Sequence, residues 1–153
     1  MRKRDLPEIS LQKISEGKEE IVIRYHTMTP QLERLIRQLT KDQVTILGKN
    51  NGKQYRSAPA DIYYFESVDE KLFAYTKDMA LQVGMTLSEA EESLKEQGFF
   101  RCNKSFVLNI NRIDSVKSEL GNRIDATLDN GEHIIISRRY SKQFRERLRE
   151  DGV

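Results

Sequence analysis

The 153-residue chain is short of the residues that most chemistries need: it has one cysteine, two histidines and no long apolar run. A lone Cys102 excludes an intrachain disulfide and suits a reducing compartment. His26, His133 and Cys102 stand far apart, with neither zinc-ligand spacing nor the pattern of a Cys–His catalytic pair. No G-x-G-x-x-G, no phosphate-cradling G-x-x-x-x-G-K-S/T and no G-x-S-x-G elbow occurs. Glu89, Glu91, Glu92 and Glu96 fall on one expected helix, where acids form a solvated face. The reading is therefore no enzyme, no cofactor, no metal and no small-molecule substrate. No stretch approaches the roughly 18 apolar residues of a membrane helix. The basic start Met1-Arg2-Lys3-Arg4-Asp5 is followed by no apolar signal core. A soluble, cytoplasmic protein is expected.

What is abundant is charge, 33% of residues, against 37% apolar content. The net charge is only +2, but its distribution is uneven. Residues 1–60 carry 12 Lys/Arg against 7 Asp/Glu, residues 61–98 carry 3 against 9, and residues 99–149 carry 11 against 6. A basic C-terminal third in a nearly neutral chain can supply an electrostatic footprint for nucleic acid. Charge alone does not identify the partner.

The local grammar is mostly that of strands. A weak strand is expected among Leu6, Ile9, Leu11 and Ile14, and a firmer one at Ile21-Val22-Ile23-Arg24-Tyr25. Thr29 as N-cap and Pro30 at the first helical position open a helix, with Leu32, Leu35, Ile36 and Leu39 as its apolar stripe. Val44 to Leu47, Lys53 to Ser57, Asp61 to Ser67 and Leu72 to Thr76 read as strands, with turns at Asn50-Asn51-Gly52 and at Val68 to Lys71. A short strand near Met79 to Val83 precedes a helix with a Thr86-x-x-Glu89 capping box and a stop at Gly98. Later come Ser115 to Lys117, a Gly121-Asn122 turn, Ile124 to Leu128, the hairpin dipeptide Asn130-Gly131 and His133 to Ser137. Ser141 is the expected cap of a last helix that buries Phe144 and Leu148. No βαβ alternation occurs, so the fold class is mainly β: antiparallel sheets with short flanking helices. The expected division is an N-terminal strand-helix extension, 1–42, and a β domain, 43–150.

The most informative segment runs from Phe99 to Ile113. Arg101, Asn103, Lys104 and Ser105 form a compact donor cluster between apolar anchors, and none is an obvious nucleophile. Such donors suit phosphate oxygens and base edges. Arg138 and Arg139 stand where the last strand meets the last helix, and Lys71 lies in the turn after the aromatic strand, next to Asp69 and Glu70. Lys142, Arg145, Arg147 and Arg149 follow on the helix, where a solvated face explains Arg147 and Arg149. Cys102 has cations nearby that could favour its thiolate, but a lone cysteine is more often a packing residue.

The segment Phe99-Phe100-Arg101 through Ser105, Asn109 and Ile113, with Asp61-Ile62-Tyr63-Tyr64-Phe65-Glu66-Ser67, Asn130-Gly131 and Ile136-Ser137-Arg138-Arg139-Tyr140, resembles the LytTR family of bacterial DNA-binding domains. The resemblance covers about residues 43–149. It implies an elongated set of antiparallel sheets that binds double-stranded DNA through loops entering successive major grooves. It puts contacts on Lys71 and Leu72, on Arg101, Asn103, Lys104 and Ser105, and on Arg138 and Arg139. Lys104 and Arg139 are then the base readers, with Arg101, Ser105 and Arg138 on phosphates. Leu72 departs from the polar residue that some members place there. The resemblance further implies a stand-alone transcriptional regulator without a receiver domain, a homodimer on direct repeats, and control by an inhibitory, membrane-bound partner protein. Two rivals fit the residues alone: a single-stranded nucleic-acid module stacking bases on Tyr63, Tyr64, Phe65 and Tyr75, and a protein-interaction β domain.

Overall fold

The computed structural model describes residues 8–40 and 44–150. Contacts divide the chain into two units, Met1–Lys41 and Asp42–Val153. In the first, helix α1 spans Pro30–Thr40, and the Leu32 N–H donates to Thr29 Oγ1 at 3.1 Å, which makes Thr29 the cap that the sequence suggests. The strand expected at Ile21–Tyr25 is absent, and residues 8–14 carry none either; Leu6, also assigned to that weak strand, lies outside the described residues. Ile21 is 74% and Val22 64% exposed. A β-rich run becomes a strand only when a ladder partner takes its N–H and C=O groups.

The second unit is built from two antiparallel sheets. The chain contributes β1 (Ile46–Asn50), β2 (Lys53–Ser57), β3 (Tyr64–Val68), β4 (Lys71–Tyr75) and β5 (Ala80–Val83), then helix α2 (Leu87–Ser93). After α2 come β6 (Phe99–Arg101), β7 (Phe106–Asn109), β8 (Ile113–Glu119), β9 (Arg123–Leu128), β10 (His133–Ile136) and helix α3 (Arg138–Glu150). Seven strands pair in the order β2-β1-β5-β4-β3-β7-β6, and three in the order β10-β9-β8.

Turn chemistry sets the registers. Asn51 and Gly52, at φ 49° and 77°, close the β1–β2 hairpin between Asn50 and Lys53. Asp69 and Glu70, at φ 50° and 65°, do the same between Val68 and Lys71, although neither is a glycine. Asn130-Gly131 does not make a two-residue turn. Asp129, Asn130 and Gly131 form a three-residue loop in which the Leu128 N–H donates to the Glu132 carbonyl and Gly131 takes the left-handed position. Gly98 (φ 94°) ends the α2 region; a Cβ there would meet Asn111 Nδ2 at 2.6 Å. Thr86 accepts from the Glu89 N–H at 3.1 Å, as the capping motif requires.

The central strands bury both faces. On one side Phe65, Val107 and Phe99 join Ile46, Leu72, Leu81 and α2's Leu87 and Ala90 in a first core. On the other, Tyr64 and Leu108 join Ile124, Ala126, Leu128, Ile134, Ile136 and α3's Phe144 in a second. Because side chains alternate with period two, one strand can serve two cores only if consecutive residues are apolar. The runs Tyr63-Tyr64-Phe65 and Val107-Leu108 meet that requirement.

Asn109, 1% exposed, locks the junction between β7 and the segment before β3. Its Nδ2 donates to the Ile62 carbonyl at 2.8 Å, and its Oδ1 accepts from the Asn111 N–H at 3.0 Å. Asn109→Ala is expected to cost about 1–3 kcal/mol in urea unfolding, because the buried Ile62 carbonyl loses its donor. A midpoint within error of wild type would contradict that role.

Candidate nucleic-acid interface

Three turns meet at one margin of the second unit. The loop 102–105 joins β6 to β7, and its Ser105 carbonyl accepts from the Ser67 N–H at 2.9 Å, at the end of the β3–β4 hairpin. Its Cys102 carbonyl accepts from the Ser137 N–H at 2.8 Å, at the junction of β10 and α3. Asn103 Nδ2 adds a bond to the Ile135 carbonyl at 3.0 Å. Backbone hydrogen bonds thus stitch the three candidate loops side by side.

The side chains at that margin divide into two groups. Lys71, Lys104, Arg138 and Arg139 are exposed. Arg139 lies over the Tyr140 ring, its guanidinium carbon 5.5 Å from the centroid. Ser105 is half-buried. The others face inward. Leu72 is 3% exposed and belongs to the first core, which corrects its assignment to DNA contact: in a strand starting at Lys71, the next residue points to the opposite face. Asn103 spends its amide on structure, accepting from the Ser105 N–H at 2.9 Å while donating to Ile135. Arg101 donates from Nε to the Asn103 carbonyl (2.9 Å) and from its NH2 group to the Lys104 carbonyl (2.8 Å). It also reaches Glu91 at 3.4 Å. The sequence marks these donors but not where they are spent.

Arg138 and Arg139 do not sit in a loop. Helix α3 begins at Arg138, a turn earlier than the expected Ser141 cap, so both arginines occupy its first turn. Ser141 is fully buried and its Oγ donates to the Arg138 carbonyl at 3.1 Å. The small hydroxyl is buried beside its own helix backbone rather than capping it.

The aromatic strand offers no stacking platform. Tyr63, Tyr64 and Phe65 are all buried, and Tyr75 is half-buried, stacked on Tyr64 with ring centroids 4.6 Å apart. The Tyr64 hydroxyl donates to Glu132 at 2.8 Å, and burial first, then that carboxylate, pushes its pKa upward. Among the described residues no group of His, Cys, Asp and Glu could hold a metal ion, and no helix is long and apolar enough to cross a membrane.

A family model of the LytTr DNA-binding domain matches residues 52–149. The chain belongs to that family. LytTr relatives include the sensory transduction protein LytT of Enterococcus faecalis, 30% identical over 94 residues. The transcriptional regulatory protein YpdB of Escherichia coli K12 is 32% identical over 87. These alignments cover 61% and 56% of this chain but only 39% and 36% of the relatives. The chain therefore spans about two fifths of their length. The LytTr DNA-binding domain of a Bacillus cereus methyl-accepting/DNA response regulator superposes with a TM-score of 0.66 at 24% identity, covering 70% of this chain and 98% of that one. That likeness establishes the fold: mostly antiparallel sheet with a few short helices.

Cys102 sits inside this LytTr signature, fully buried in the second core. Burial pushes its thiol from the ordinary 9.0 up to about 12, against the weaker pull of Arg101. Native protein at pH 8 is therefore expected to resist iodoacetamide, and protein in urea to react fast. From pH 9 toward 12 only the unfolded chain gives up the thiol proton, so this group lowers stability as pH rises. Rapid modification of the native thiol at pH 8 would overturn the assignment.

Proposed function

We propose that this LytTr chain is a sequence-specific, double-stranded DNA-binding transcriptional regulator that contacts DNA through the stitched margin of its second unit. The observation that carries the reading is the set of exposed cations, Lys71 at the start of β4, Lys104 in the 102–105 loop, and Arg138 and Arg139 in the first turn of α3, at a margin joined by the Ser67–Ser105 and Cys102–Ser137 hydrogen bonds. Rigidly spaced cationic tips fit phosphates at fixed intervals, and the longest of them reach base edges in the major groove. Lys104 and Arg139 are the proposed base readers. Ser105 and Arg138 hold phosphate, the latter helped by the amide-rich first turn of α3. Lys71 adds a phosphate contact in spite of its acidic neighbours Asp69 and Glu70.

The regulator acts as a homodimer on direct repeats, and an inhibitory, membrane-bound partner controls it. The half-exposed apolar stripe of α1, with Leu35 at 45% and Leu39 at 49%, is the proposed surface for self-association or for that partner. Burial of Tyr63, Tyr64 and Phe65 supports the duplex over the single-strand alternative.

Selection from a random duplex pool supplies the cognate sequence, and fluorescence anisotropy then measures its affinity. Four cationic contacts imply a log–log salt slope of roughly −3 to −4. Arg139→Ala and Lys104→Ala are each expected to cost about 1–3 kcal/mol on the cognate duplex and much less on a scrambled one. Equal losses on both duplexes would remove these residues from base reading. Selected fragments carrying one motif copy, bound by a monomer in sedimentation, would remove the dimer.

A further inference from the structure

We infer that Arg101 is a positioning residue for Lys104, a strut that aims the lysine and makes no phosphate contact of its own. The inference rests on the proposed DNA reading, but its geometry does not. The Asn103 carbonyl belongs to the peptide before the Lys104 Cα, and the Lys104 carbonyl to the peptide after it. Arg101 binds both, through Nε at 2.9 Å and the NH2 group at 2.8 Å. Fixing the two peptides that flank one Cα fixes its φ and ψ, and so the direction in which the side chain leaves.

The guanidinium suits this task because its donors lie in one rigid plane and can bridge two acceptors at once. Its third partner, Glu91 of α2 at 3.4 Å, ties the strut to the first core's helix. The Arg101 side chain is only 18% exposed, whereas Lys104 is exposed and is held through its backbone carbonyl, the acceptor for Arg101. Asn103 completes the clamp from the other side by holding the Ser105 N–H and the Ile135 carbonyl. The cation next to the DNA-facing loop is thus spent on the loop, and the cation at its tip is left at the surface.

The consequence differs from that of a phosphate-binding arginine. Removing a phosphate contact weakens every duplex and lowers the salt slope by about 0.9. Removing a strut leaves the charge count at the DNA unchanged and blurs only the aim of Lys104. The test uses the full chain as wild type, Arg101→Gln and Arg101→Lys, titrated from 50 to 200 mM salt. The probes are a duplex selected by the wild type and its scrambled counterpart. Both variants are expected to lose about tenfold on the selected duplex, the worth of one base contact. Scrambled binding and the salt slope should stay where they are. Lysine keeps the charge but cannot span both carbonyls, so it is not expected to rescue.

A second readout needs no DNA. Cys102 lies between the strut and the clamp, and its burial makes iodoacetamide modification a gauge of loop opening. Both variants are expected to react several-fold faster than wild type at a temperature where circular dichroism shows them folded. A slope lower by about 0.9, equal losses on both duplexes, full rescue by lysine, or unaltered thiol reactivity would each overturn the strut. If the wild type selects no duplex, the DNA reading fails while the thiol measurement still decides whether Arg101 holds the loop. If Arg101→Gln fails to fold, Arg101→Lys carries both measurements.

Discussion

The margin that presents Lys71, Lys104, Arg138 and Arg139 depends on one short loop being held from both sides. Residues 102–105 accept a backbone hydrogen bond from Ser67 on one flank and from Ser137 on the other. The first joins the loop to the seven-stranded sheet and the second joins it to the end of the three-stranded one. A loop held only by its own ends would sample many conformations, and a cation on it would have no defined place. Cross-linked in this way it behaves as part of the sheets. The side chains that look most like ligand-binding groups, Arg101 and Asn103, are the ones that complete the restraint.

Beneath the loop, both cores reach the same strands. Phe99 enters the first core and Phe100 packs against the second; Val107 and Leu108 divide in the same way. Cys102 closes the second core just before the exposed turn. Anchors therefore sit on both sides of a four-residue loop, so its position is inherited from the packing of the whole second unit. Further joints hold the two sheets together. Tyr64 donates to Glu132, and Arg112 bridges the Ala60 carbonyl and Asp129 while lying over Tyr63. These joints combine a buried aromatic body with a polar tip, which lets one side chain serve core and surface at once.

Where the sequence reading succeeded, the cause was local. Asn51-Gly52, Thr86-x-x-Glu89, Thr29-Pro30 and Gly98 each specify a turn or cap through backbone preferences that hold in any context. Where it failed, the deciding partner was distant or missing. Ile21 to Tyr25 has strand-forming side chains and no ladder. Ser141 looks like a cap and is buried, because α3 starts at Arg138 once Ser137 is bound to Cys102. The family resemblance puts Leu72 on DNA, but strand alternation turns it into the first core. Asn109 stood out as part of a signature, and its bonds to Ile62 and Asn111 make it a buried lock.

By itself, then, the order of residues determined the antiparallel β class, most turns, and the membership of a donor-rich family of DNA-binding domains. Those features depend on short-range sterics and on period-two alternation, which a linear string displays directly. Only the tertiary structure decided which donors remain available. Arg101 and Lys104 are equally cationic on paper, yet one is drawn to two carbonyls of its own loop and the other is left at the surface. That distinction arises from the folding back of β6 onto β7 and the docking of Ser137 on Cys102, contacts between residues that composition and spacing treat as unrelated.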